Sequence, residues 1–144
     1  MAYITAPDST IMAESGGNPS AQNPLSSASG LLQITDPMWS GLKKNYPNAN
    51  LTDKNDPAQQ RLAYSLFMQN EGIPALQKAG LEHNAVNQDR LWHWGAPTAV
   101  ALSQADPQAT VGDVLGPNAA AIAKANPKDF SKGTKTLVGD VLNS

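Results

Sequence analysis

The sequence predicts an all-α domain, and three observations support this. Asp or Asn stands directly before proline in several pairs, of which four are interpreted as helix starts: Asp36-Pro37, Asp56-Pro57, Asp106-Pro107 and Asn126-Pro127. The pairing is typical of helix starts because Asp or Asn accepts hydrogen bonds from first-turn amides and proline has no amide to leave unpaired. Apolar residues between 58 and 67 recur with the i, i+4 spacing of a helix. No long alternating run of Val, Ile or Thr indicates a strand.

The predicted helices are separated by loops that contain Gly, Pro or Asn. The first helix covers residues 7–14 and is stopped by Gly16 and Gly17. A polar loop, residues 18–29, and a short buried turn or strand-like piece, residues 30–35, come next. Further helices are predicted over residues 37–45, 57–69, 74–79, 88–94, 97–105, 111–115, 118–125 and 134–142.

The four Asp/Asn-Pro pairs differ in how strongly they predict a helix start. Asp36-Pro37 and Asp56-Pro57 are the stronger pairs, each placing an acidic residue as a cap before a periodic segment. Asp106-Pro107 and Asn126-Pro127 are weaker, and plain turns are the alternative for them.

Composition and charge bound the function classes. A chain of 144 residues fits one domain, expected over 1–130, followed by a C-terminal helical tail over 131–144 that is packed on the domain or trails from it. The formal net charge of −2 gives no basic field for nucleic acid, which is therefore not an expected partner. The absence of Cys excludes a disulfide scaffold and a thiol nucleophile.

The start of the chain and its apolar runs bear on location. No basic segment followed by an apolar one opens the chain, so no Sec-type signal peptide is expected. The apolar runs are too short to cross a bilayer, so membrane insertion is not expected either. His83 and His93 have no His-Glu-x-x-His spacing, so neither a metal site nor a cofactor is predicted.

Glu14 is the candidate for acid–base chemistry. It closes the first predicted helix after apolar Ile11, Met12 and Ala13, which are expected to pack the helix end against the core. A carboxyl at the border of a core loses hydration, which favours its protonated form and suits it to donate a proton. Ser15 could fix its direction. The alternative is an exposed helix-end residue followed by an ordinary turn.

The segment after the polar loop supplies further candidates. Small residues surround Ala28 before Gly30, which lets the chain pass close to a ligand or to another backbone. Leu31, Leu32 and Ile34 are expected to be buried around Gln33. The amide of Gln33 is then either a sugar-binding group or a group satisfied by backbone.

These motifs resemble the soluble lytic transglycosylase and goose-type lysozyme superfamily, and especially its bacteriophage virion-associated members. The resemblance lies in Glu14-Ser15-Gly16, Asn18-Pro19-x-Ala21 and Ser26-Ser27-Ala28-x-Gly30-Leu31-Leu32-Gln33-Ile34. A weaker similarity lies in residues 91–99, and another in residues 114–120 with 125–127. Together the matches extend over most of residues 7–130.

The resemblance implies a lysozyme-like helical fold with a substrate cleft, and peptidoglycan glycan strands as substrate. By the same resemblance, Glu14 is the sole catalytic acid and base. It would cleave the β-1,4 bond between N-acetylmuramic acid and N-acetylglucosamine and form a 1,6-anhydro sugar. The substrate-binding residues implied are Ser15, Ser27, Leu32, Gln33, Ile34, Trp92 and His93.

The late motif departs from the family pattern. Relatives often carry Ala-Tyr-Asn-Ala-Gly, whose Tyr hydroxyl touches the catalytic Glu, whereas this chain has Trp92-His93-Trp94-Gly95. Trp92 or His93 is expected to take the place of that Tyr. Trp92 and Trp94 are candidates for stacking on sugar rings, and core packing is the alternative for each.

Several functions remain open on the sequence alone. A hydrolase of the lysozyme type needs a second carboxylate, for which Asp36, Asp53 and Asp56 are the candidates. A non-catalytic glycan-binding or virion structural module would use the same cleft only for adhesion, and a chitinase-like enzyme would use the same fold on chitin. The resemblance implies action at the bacterial cell wall, from a phage virion or in the periplasm, with other virion proteins as further partners.

Overall fold

The computed structural model describes residues 3–143, and this part of the chain is mainly helical. Helix accounts for 61% of the structure and no described residue lies in a strand, which confirms the all-α class. The β-type contacts between described residues are isolated bridges, such as those of Ser29 with Gln22 and with Ile34. The α-helices are α1 (Asp8–Ser15), α2 (Asp36–Asn45), α3 (Pro57–Phe67), α4 (Ile73–Ala79), α5 (Ala85–Trp94), α6 (Ala96–Gln104), α7 (Val111–Leu115), α8 (Ala119–Ala125) and α9 (Val138–Leu142).

The chain forms two compact units, one ending at Trp92 and the other beginning at His93. The core of the first unit contains the fully buried side chains of Leu32, Ile34, Ala63, Tyr64, Met68 and Leu91. The core of the second unit is formed by Leu102, Val111, Ala123, Phe130, Val138 and Val141. Residues 131–143 therefore contribute two valines to the second core.

Of the two stronger Asp-Pro pairs, one places its aspartate as a helix cap and the other does not. Asp56 caps α3 as predicted, since its Oδ1 accepts the N–H of Ala58 at 3.0 Å. The prediction that Asp36 caps α2 is wrong, because the cap is Thr35, whose hydroxyl oxygen accepts the N–H of Met38 at 3.3 Å. Asp36 is instead the first residue of the helix, where its charge favours the helix dipole.

The two weaker pairs are turns. Asp106 accepts the N–H of Gln108 at 2.9 Å through its side chain and the N–H of Ala109 at 2.9 Å through its carbonyl. The Asn126 carbonyl accepts the N–H groups of Asp129 and Phe130. In both places the alternative of a plain turn is the correct one.

Helices α3 and α4 are joined by a π-helical turn, Met68–Gly72, rather than by a loop. The N–H of Ile73 bonds to the carbonyl of Met68, five residues earlier. Pro74 follows at the start of α4. Proline has no N–H and its ring crowds the preceding turn, so a wider turn before it keeps the helical path continuous.

Two predicted boundaries are wrong by several residues. Helix α5 begins at Ala85, three residues earlier than predicted, because the Asn84 side chain accepts the N–H of Asn87 at 2.9 Å. The helix predicted over 134–142 is reduced to α9, since Leu137 forms an isolated bridge with Thr110. In residues 3–143 no helix has the length and apolar character that a membrane span requires.

Candidate functional site

Glu14 lies in the last turn of α1, and its side chain is partly buried. The residues of α1 that are fully buried are Thr10 and Ile11. Met12 is 62% exposed and Ala13 is exposed. The expectation that residues 11–13 pack the helix end into the core therefore holds for Ile11 and is wrong for the two that follow.

The turn directly after Glu14 is fixed by Ser15 and Gly16. The Ser15 hydroxyl donates to the carbonyl of Ile11 at 3.2 Å and accepts the N–H of Gly17 at 3.2 Å. Gly16 adopts a left-handed conformation, φ 65°, and its N–H bonds to the carbonyl of Met12. The hydroxyl proton of Ser15 is therefore used within the helix, and its oxygen holds the turn that follows Glu14.

The polar loop, residues 18–29, is held by short side-chain turns. Asn23 Oδ1 accepts the N–H of Leu25 at 2.8 Å, and Ser26 Oγ accepts the N–H of Ala28 at 3.1 Å. Ser27 is exposed, and its hydroxyl oxygen accepts the N–H of Asp36 at 2.9 Å. Ser27 thereby ties the loop to the start of α2.

Gln60 of α3 is fully buried and holds the segment that follows the polar loop. Its Oε1 accepts the N–H of Leu32 at 2.7 Å. Its Nε2 donates to the carbonyls of Ser29 at 2.8 Å and Lys54 at 2.7 Å. A Cβ built on Gly30 would lie 2.1 Å from this nitrogen, so the close approach requires glycine.

Sequence reasoning missed Gln60, although a signal existed. Gln60 lies three residues before Ala63 and seven before Phe67, and both of these are buried. A polar residue on the buried face of a helix needs hydrogen-bond partners. The three backbone groups around Gly30 are those partners.

Gln33 adopts a positive φ of 52°, and its amide nitrogen turns back to the chain. Nε2 donates to the carbonyls of Gly30 at 2.9 Å and Ala21 at 3.2 Å. Of the two alternatives for this nitrogen, sugar binding or bonding to backbone, the structure shows bonding to backbone. Leu32 and Ile34 have fully buried side chains, so they support this segment from the core.

Trp92, on α5, contacts the same segment from another side. Its Nε1 donates to the carbonyl of Leu32 at 3.0 Å. Its ring centroid lies 4.8 Å from that of Tyr64 and 5.6 Å from that of Phe67. Gln60 and Trp92 together bind both backbone polar groups of Leu32, which fixes the two peptide planes on either side of its Cα.

In the second unit, Asp129 binds two neighbouring aromatic side chains. Its Oδ2 lies 2.5 Å from Nε2 of His93 and accepts Nε1–H of Trp94 at 3.3 Å. The Trp94 ring packs edge-on against Phe130, with ring centroids 6.5 Å apart. No local sequence pattern indicates this role of Asp129, because its partner His93 is 36 residues away along the chain.

The three aspartates considered as a second carboxylate all have structural partners. Asp36 pairs with Lys54 at 2.6 Å. Asp53 Oδ1 accepts the N–H of Asn55 at 3.0 Å, and Asp56 caps α3. Within residues 3–143, no group of three His, Asp or Glu side chains is arranged to hold a metal ion.

Neither a protein-family model nor a curated protein matches this chain significantly. The resemblance of residues 14–34 to lytic transglycosylases therefore depends on the residues themselves.

Proposed function

We propose that this chain is a peptidoglycan lytic transglycosylase with a lysozyme-like fold and that Glu14 is its only catalytic acid and base. The observation that carries the proposal is a single partly buried carboxyl at the end of α1, followed at once by a rigid turn. In the resembling superfamily this Glu-Ser-Gly sequence carries the catalytic acid. The expected place of action is the bacterial cell wall, reached from a phage virion or in the periplasm.

The reaction requires one carboxyl that acts first as a general acid and then as a general base. Protonated Glu14 donates its proton to the oxygen between N-acetylmuramic acid and N-acetylglucosamine, and the bond from that oxygen to C1 breaks. The resulting carboxylate takes the proton of the muramic 6-hydroxyl, whose oxygen then bonds to C1. Glu14 ends in its original protonated form, no water is consumed, and the product is a 1,6-anhydro sugar.

The structural use of the aspartates favours this reaction over hydrolysis. A hydrolase of the lysozyme type needs a second carboxylate about 5 Å from the acid as a nucleophile, or about 6.5–9.5 Å away as a base for water. Each candidate aspartate already has a structural partner. Asp36 is paired with an ammonium group, and Asp53 and Asp56 each accept a backbone N–H. Transfer to an internal hydroxyl needs none of them.

The rigid support of residues 29–32 fits a binding surface for a sugar strand. Catalysis gains from groups that are already held in place before the substrate arrives. Gln60 and Trp92 supply that support through three hydrogen bonds to Leu32 and Ser29. We propose that Ser15, Ser27, Gln33 and Trp92 contact the substrate, and that the fully buried side chains of Leu32 and Ile34 support this surface from the core.

Digestion of purified peptidoglycan sacculi, with mass spectrometry of the released muropeptides, tests the proposal. The expected products carry 1,6-anhydro ends, and Glu14→Gln is expected to release none because an amide cannot donate the proton. Glu82→Gln, which changes an exposed glutamate, is the matched control and should digest like the parent.

Each different outcome selects a different function. Reducing ends in place of anhydro ends would select the hydrolase. Binding to sacculi without release of products would select a glycan-binding module. Cleavage of chitin with none of peptidoglycan would select a chitinase-like enzyme, and full activity of Glu14→Gln would remove Glu14 as the acid.

A further inference from the structure

Side-chain hydrogen bonds of two neighbouring residues on α5, Gln88 and Asp89, attach this helix to α3 and to α1. Nε2 of His83 lies 2.9 Å from Oε1 of Gln88, and Nε2 of Gln88 donates to the Tyr64 hydroxyl at 2.7 Å. On the neighbouring residue of α5, Oδ1 of Asp89 accepts the hydroxyl proton of Thr10. These bonds therefore link α1 to α5, and α5 to α3.

The direction of each bond follows from the groups that form it. The one proton of the Thr10 hydroxyl goes to Asp89, and the Tyr64 hydroxyl accepts from Gln88. Thr10, Tyr64 and Gln88 are buried at 3%, 0% and 7% exposure, which strengthens each bond because water does not compete. Asp89 is the carboxylate that receives the proton of Thr10.

Thr10 attaches α1 to α5 through a buried polar side chain. Helix α1 has eight residues, too few to be stable alone, so contacts with the rest of the unit must hold it. Its fully buried residues are Thr10 and Ile11. An apolar contact allows a helix to roll, whereas a directional hydrogen bond from Thr10 to Asp89 sets its rotation.

The rotation of α1 sets the direction of Glu14. Thr10 and Glu14 are four residues apart, so they lie one above the other on the same face of the helix. A rotation of α1 that displaces the Thr10 hydroxyl must displace the Glu14 carboxyl as well. The hydrogen bond at Thr10 therefore acts on a group one turn away.

We infer that Asp89 is a positioning residue for Glu14, and that it acts through the hydroxyl of Thr10. The inference rests on the proposed function of Glu14. Asp89 contacts neither the reacting sugar nor Glu14 in this role; it holds the helix at the angle from which Glu14 reaches the glycosidic oxygen.

Steady-state cleavage of soluble glycan strands by variants of the whole chain tests the inference. Thr10→Val keeps the shape and removes the hydroxyl, and we expect kcat to fall about 10- to 100-fold while KM stays unchanged, since misplacement of a reacting group slows turnover. Thr10→Ser keeps the hydroxyl and is expected to restore most of kcat. Ser9→Ala, which changes an exposed neighbour on the same helix, is the matched control.

A second variant covers the case in which Thr10→Val does not fold. Asp89→Asn keeps an acceptor oxygen but removes the charge, so α1 stays attached by a weaker bond, and a smaller fall in kcat is expected. A parental kcat in a folded Thr10→Val or in Asp89→Asn would overturn the inference. A fall in kcat that Thr10→Ser does not restore would also overturn it, because the hydroxyl would not be the cause.

The failure of this inference differs from the failure of the proposed function. If Glu14→Gln is inactive and Thr10→Val has parental kcat, Glu14 remains the acid and only the positioning role is lost. If Glu14→Gln retains activity, the assignment of the acid fails, whatever the Thr10 variants do.

Discussion

The side-chain oxygen of Gln60 lies 2.7 Å from the backbone nitrogen of Leu32. The same side chain donates to the carbonyls of Ser29 and Lys54, so one buried amide satisfies three backbone groups from two segments. An irregular segment cannot satisfy its own buried backbone as a helix or sheet does. Gln60 therefore supplies the backbone hydrogen bonds that a helix or sheet would otherwise supply in the segment around Gly30.

Gln60→Leu is expected to destabilise the chain by about 3 kcal/mol or more, because three backbone groups lose their partner and each costs roughly 1–3 kcal/mol when buried unpaired. Urea denaturation followed by circular dichroism measures this loss. Gln77→Leu, which changes an exposed glutamine on α4, is the control and should stay within about 0.5 kcal/mol of the parent. Equal stability of the two variants would contradict the role of Gln60.

Gly30→Ala is expected to be much more costly than Gly80→Ala. Both glycines have a positive φ, 83° and 69°, so both substitutions carry the strain of a left-handed Ala, about 1 kcal/mol. At Gly80 a Cβ meets nothing within 4 Å, whereas at Gly30 it would overlap the Gln60 amide. The difference between the two free energies of unfolding isolates that overlap, and a difference near zero would show that Gln60 moves freely aside.

The helices can be predicted from sequence where local signals decide them. The predicted bounds of α7, residues 111–115, match the observed ones, because Thr110 caps the start of this helix and Gly116 directly follows its end. Asp56 likewise caps α3, as its pairing with proline predicts. At Asp36 the same pairing fails, because Thr35 is equally able to cap and Lys54, distant in sequence, engages the carboxylate.

The supports of the candidate site depend on long-range contacts, which no local pattern reveals. Glu14 can be singled out because its chemistry is carried by one short motif. For Gln60 the helical pattern indicates a buried polar residue but not its partner, which lies 28 residues away, and Asp129 has no such pattern, since its partner lies 36 residues away. For Gln33, the apolar neighbours correctly predict a position between buried residues. They do not predict the turn that directs its amide nitrogen to the carbonyl of Gly30.

The two histidines are expected to share one tautomer. Nε2 of His83 faces the Gln88 oxygen and Nε2 of His93 faces the Asp129 carboxylate, so each neutral ring should carry its hydrogen on Nε2. Nitrogen-15 NMR of the ring nitrogens reads this directly, and the chain has only two histidines. Asp129→Ala should shift the His93 signals and leave those of His83 unchanged, while an Nδ1–H tautomer at His93 would contradict the geometry.

Alkaline pH is expected to destabilise the chain through Tyr64. Burial raises the pKa of Tyr64 from 10.0 to about 12. Between these values the unfolded chain releases the phenolic proton and the folded chain retains it, so the free energy of unfolding should fall as pH rises from about 10 to about 12. Tyr64→Phe should be less stable at neutral pH, because Gln88 loses its acceptor, yet should lose less stability over that alkaline interval.

Tyr46→Phe is the matched comparison for that measurement. Burial, and then the negative charge of Glu71, also raise the pKa of Tyr46, so its removal should flatten the alkaline fall as well. Tyr46 is only partly buried, whereas Tyr64 is fully buried, so Tyr64→Phe should flatten the fall more. Urea denaturation across the alkaline range compares the three proteins. An unchanged slope in Tyr64→Phe would mean that this hydroxyl is not held protonated by the fold.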